Sequence, residues 1–73
     1  MTQFIVLSDG PEVIGLWQTE RETTAVRFRL TLGLTYPHCD VDVVAARDLT
    51  SLRQSRPDLQ SLRPERIDAS APA

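Results

Sequence analysis

The chain lacks lysine altogether and has one cysteine, one histidine, one tryptophan, one tyrosine and two phenylalanines in 73 residues. A lone Cys39 excludes an intramolecular disulfide, and with His38 beside it the sequence supplies at most two adjacent soft metal ligands, too few for a structural zinc. No glycine-rich phosphate loop, paired carboxylates at a working spacing or metal-ligand cluster is present. No cofactor, metal or small-molecule substrate is therefore expected. No apolar run approaches the roughly 18 residues of a membrane span. The opening residues MTQFIVLSDG reach Asp9 and Gly10 without a basic-then-apolar leader, so a cytoplasmic protein with no membrane association is expected.

What is present is ordinary globular composition, with 41% apolar and 25% charged residues. At this length one domain is expected, burying only about 60% of the unfolded chain's surface. All eight basic residues are arginine, which favours bidentate pairing with carboxylates or phosphates over diffuse charge. The net charge of −2 is unevenly spread. Residues 1–22 set four acids against Arg21, residues 23–47 carry one excess positive charge, and the remainder balances.

Element signals are strongest early in the chain. QFIVLS (3–8) is a run of β-formers ended by Ser8-Asp9-Gly10-Pro11, and EVIGLWQT (12–19) is a second apolar run in which Gly15 disfavours a helix. After the polar stretch Thr19–Thr23, residues Val26, Phe28, Leu30 and Leu32 alternate with Arg27, Arg29 and Thr31, which predicts a third strand with its apolar set on one face. CDVDVVAA predicts a short strand over 39–45, with a helix beginning at Asp40 as the competing reading. DLTSLR (48–53) recurs as DLQSLR (58–63), and each copy has an Asp suited to N-capping ahead of two leucines on one helical face. Two short helical turns ended by Pro57 and Pro64 are expected. The fold class is thus α+β: a small antiparallel sheet of three to four strands with one or two short C-terminal helices. The domain is placed at 1–63 and a flexible tail at 64–73.

Among candidate sites, His38-Cys39-Asp40 has the residue types of nucleophilic catalysis. Consecutive residues in an extended segment point to opposite sides, however, so the triplet is read as a loop histidine beside a half-buried thiol, and the chain as no enzyme. The first two strands carry large apolar side chains on both faces, more than one short helix can cover. That surplus nominates Phe4 and Trp17 as partner-binding anchors, unless the C-terminal segments bury both faces or the chain dimerises. Glu20 and Glu22 form an acidic turn that would complement a basic partner, or would simply be solvated. Arg53, Arg56, Arg63 and Arg66 on the leucine repeat could touch RNA or a protein partner. Interleaved acids and the lack of an aromatic ladder argue against autonomous nucleic-acid binding.

The combination of hairpin-like strands, LSDGPEVIGLWQTERE and the DLTSLR/DLQSLR pair on a chain of this length resembles small phage host-takeover proteins. Among these it is similar to the RNA-polymerase-binding transcription regulators of lytic Xanthomonas phages. The chain is expected to be a monomer, and the resemblance implies that it docks on the N-terminal part of the largest subunit of bacterial RNA polymerase, near the RNA exit channel. There it would disfavour σ-factor engagement, inhibit initiation and promote antitermination. A ligand that prefers core polymerase over the σ-bound form shifts that equilibrium by its differential affinity. No motif transfers contact residues position by position, so the candidates above stand on the residues alone. The alternatives are an inhibitor of another host machine, such as a CRISPR effector or nuclease, and a homodimeric structural or antitoxin-like module.

Overall fold

The computed structural model describes residues 1–67. β1 (Thr2–Asp9) and β2 (Glu12–Thr19) form an antiparallel hairpin closed at Gly10-Pro11. There Gly10 takes φ +62, a left-handed value open to glycine at little steric cost. On its other edge β1 pairs antiparallel with β3 (Asp40–Ala46), from Thr2↔Ala46 to Ser8↔Asp40. A two-residue β4 (Glu65–Arg66) adds to β2 in parallel, giving the order β3-β1-β2-β4. Central β1 is covered on both sides, which is why its Phe4-Ile5-Val6-Leu7 run is apolar without alternation and wholly buried.

The register shifts between Leu7 and Ser8: Leu7 pairs with Gly15 and Ser8 with Val13, leaving Ile14 as the extra residue of a bulge. Ile14 is consequently exposed, and Val13 joins Leu16 on one face rather than opposing it.

Between β2 and β3 the chain forms α1 (Glu22–Thr35), which corrects the expected third strand. In a strand, residues two apart share a face; in a helix they are about 200° apart. The alternating apolar residues therefore divide: Phe28 and Leu32 turn inward with Ala25, while Val26 and Leu30 turn out. The acid Glu22 in the first turn suits the helix N-terminus, and Pro37 follows soon after the last turn. Inside α1, Thr31 and Thr35 hydroxyls donate to the Arg27 and Thr31 carbonyls at 3.1 and 2.9 Å.

After β3, which forms as a strand and not as the alternative helix, come α2 (Leu49–Ser55) and a 3-10 turn at Pro57–Leu59. The two repeat copies differ in outcome. Asp48 caps α2, its Oδ1 accepting from the Ser51 N–H at 2.8 Å, whereas Asp58 lies within the 3-10 turn and pairs with Arg56 at 3.0 Å. Leu52 and Leu59, one from each copy, are fully buried.

The result is an α+β molecule of three layers. On one sheet face Phe4, Val6 and Leu16 pack with Leu52 and Leu59; on the other, Ile5 and Leu7 pack with Ala25 and Leu32. Residues 65–67 correct the expected tail: the Ile67 N–H donates to the Gln18 carbonyl at 3.0 Å, and the Ile67 side chain joins the α1-side cluster. The rest of that tail, 68–73, lies outside the described residues. No helix among the described residues is long and apolar enough to cross a membrane.

Candidate interaction surface

The sequence placed partner contacts on an uncovered sheet face, and the structure leaves neither face uncovered. Phe4 has no exposed surface, lying under α2 and the 3-10 turn, and is removed as an anchor. Trp17 is half-buried on the opposite face. Its ring meets Phe28 edge-on, with centroids 5.1 Å apart and planes at 61°, and lies across the bare backbone of Gly15. A Cβ at Gly15 would sit 2.6 Å from Trp17 Cζ3, so glycine is what lets the indole fold back onto its own strand.

Glu20 and Glu22 lie at the β2–α1 junction rather than at a hairpin tip, and both are exposed. Glu20 accepts a hydrogen bond from the Thr2 hydroxyl at 2.9 Å. The four C-terminal arginines separate into two kinds. Arg53 Nη2 donates to the Leu62 carbonyl at 2.8 Å, and its Nε is buried without a hydrogen-bond partner; Arg56 pairs bidentately with Asp58. Both serve the folding of the leucine repeat. Arg63 and Arg66 are exposed.

The His38-Cys39-Asp40 triplet sits where α1 gives way to β3. His38 is exposed, Cys39 is half-buried, and the Cys39 N–H donates to the Tyr36 carbonyl at 3.0 Å. Burial, followed by the nearby Asp9 and Asp40 carboxylates, pushes the Cys39 thiol pKa up. Among the described residues no three His, Cys, Asp or Glu side chains come together as a metal site.

The feature that sequence reasoning missed is the outer side of α1. Val26, Leu30 and Leu34 follow one another at helical spacing and are 49%, 62% and 85% exposed. The spacing is plain in the sequence, but the period-two reading had assigned Val26 and Leu30 to a buried strand face. Beside this stripe runs a groove between α1 and β3. One part, of about 590 Å³, is lined by Arg29, Leu30, Gly33, Leu34, Cys39, Asp40 and Val41; a smaller part, of about 270 Å³, is lined by Val26, Arg29, Val41, Asp42 and Val43. The linings show that α1 runs antiparallel to β3, Val26 beside Val43 and Leu34 beside Cys39. Arg29 reaches across the groove, its Nε donating to the Val41 carbonyl at 3.4 Å.

No family model, curated protein or solved structure matches this chain.

Proposed function

We propose that the protein is a non-enzymatic docking module that grips a larger protein through the outer face of α1. The observation carrying this reading is that stripe: three aliphatic side chains on one rigid helix face, exposed although both sheet faces are covered by the chain itself. Apolar residues at i, i+4 and i+8 are how a helix seats in a partner's groove. The acidic residues Glu20 and Glu22 at its N-terminal end would add electrostatic steering toward a basic patch.

The partner we propose is bacterial RNA polymerase, bound in the cytoplasm at the N-terminal part of its largest subunit. The protein would there disfavour σ engagement and favour antitermination, and what supports this choice is the resemblance to phage polymerase regulators. Exposed Arg63 and Arg66 are free for an auxiliary RNA contact, whereas Arg53 and Arg56 are engaged by the Leu62 carbonyl and Asp58. Retention of purified core polymerase by the immobilised protein tests the proposal. Wild type should retain it and a Leu30→Glu/Leu34→Glu variant should not, while both melt at similar temperatures. Failure of the wild type to retain core polymerase would remove that partner, and full retention by the variant would remove the α1 face.

A further inference from the structure

We propose that the chain forms a two-fold dimer by antiparallel pairing of β3 with β3 of a second copy about Val43, each Arg47 reaching the acidic rim around Cys39 of the other copy. Among the described residues β3 is an edge strand, paired with β1 on one side only, and it carries no proline and no bulge. Such an edge presents a row of unpaired N–H and C=O groups, which proteins usually blunt or use. The only side-chain hydrogen bond shown on it among the described residues is the long one from Arg29, a contact easily given up.

Charge fixes the register. Two-fold antiparallel pairing sets one residue opposite its own copy, and the midpoint of Asp40–Ala46 is Val43. Centred there, all seven residues pair, with Asp40 opposite Ala46 and Asp42 opposite Val44, so no two acids face each other. Moving the axis to Asp42 sets that residue against itself, and moving it to Val41 sets Asp40 against Asp42 twice; like charges directly opposite are destabilising. Centring on Val44 sets Asp40 against Asp48. The Val43 register also continues past the strand end, where Arg47 of one copy falls opposite Cys39 of the other. That position adjoins Asp40 along the chain and Asp9 across the β1–β3 pair, one residue beyond Ser8↔Asp40, and Arg47 is exposed. The exchange occurs twice across the axis.

A strand pair alone is marginal. The groove beside β3 adds apolar surface next to the paired edge. It takes the aliphatic stem of the second copy's Arg47 against Leu30 and Gly33, and it brings the two Val26 side chains together near the axis. Directly opposed residues share a face, so both α1 helices lie on one side of the joined sheet. Leu34, the most exposed residue of the stripe, and the outward side of Leu30 stay free there, and the dimer does not depend on which protein docks on them.

Sedimentation velocity of the full chain across the micromolar range tests the proposal. The wild type should sediment as a dimer, Arg47→Lys should remain one, and Arg47→Glu should weaken self-association about tenfold or more. In a Cys39→Ser background, Val43→Cys should form a disulfide-linked dimer on mild oxidation, because the two side chains face each other across the axis. A monomeric wild type, an Arg47→Glu dimer as tight as wild type, or a Val43→Cys chain that stays unlinked each overturns it. A monomer that still retains core polymerase would defeat the dimer and leave the docking face standing.

Discussion

Trp17 shows how little a residue's type says about its role. A lone tryptophan in a small chain reads as an interface anchor, yet here it is half-spent on Phe28 and on the backbone of Gly15. Gly15 could be read from the sequence only as a helix-disfavouring residue, because nothing there shows that an indole two positions on will occupy its missing side chain. Gly15→Ala should therefore destabilise the protein by about 1–3 kcal/mol through overpacking, measured by urea unfolding at constant m. A neutral effect would mean that the ring shifts without cost. Phe4 illustrates the converse: its β1 run was legible as strand, but its burial depends on Leu52 and Leu59, which arrive from more than forty positions away.

The elements with a single consistent pattern were legible: β1, β2 and β3 agree with their sequence signals within a residue or so. α1 was not, because an apolar residue at every second position serves a one-sided strand and a two-sided helix equally well, and the tertiary context chose the helix. β4 was illegible since Glu65 and Arg66 have no strand signal; they are held by pairing with β2 and by Ile67. The leucine repeat was read correctly in its first copy, where Asp48 caps α2. The backbone N–H and hydroxyl of Ser51 hold the Asp48 carboxyl below its ordinary value of 3.8, and the Arg56 guanidinium does the same for Asp58. A lowered folded pKa gives stability that is present above the unfolded pKa and lost as pH falls through the folded one. The thermal midpoint should accordingly fall as pH drops below about 4. Asp48→Asn, which keeps a capping oxygen but cannot titrate, should flatten part of that slope; an unchanged slope would show that the cap does not report on pH.

At the scale of the molecule, the sequence suggested more apolar surface on the sheet than the chain could hide, and the structure corrects that expectation. Both sheet faces are sealed by α1 and by α2 with its 3-10 turn, and the surplus lies on the far side of α1. The error follows from the strand assignment, which counted Val26, Phe28, Leu30 and Leu32 as one face of a sheet. The docking proposal rests on their division, and neighbouring substitutions on α1 expose it. Thermal unfolding of Leu32→Glu and Leu30→Glu, side by side, is the most direct measurement. A charge at 6%-exposed Leu32 should abolish or sharply lower the transition, while the same change at 62%-exposed Leu30 should leave it within a few degrees of wild type. Equal losses at both positions would put the two leucines on one buried face and contradict the account.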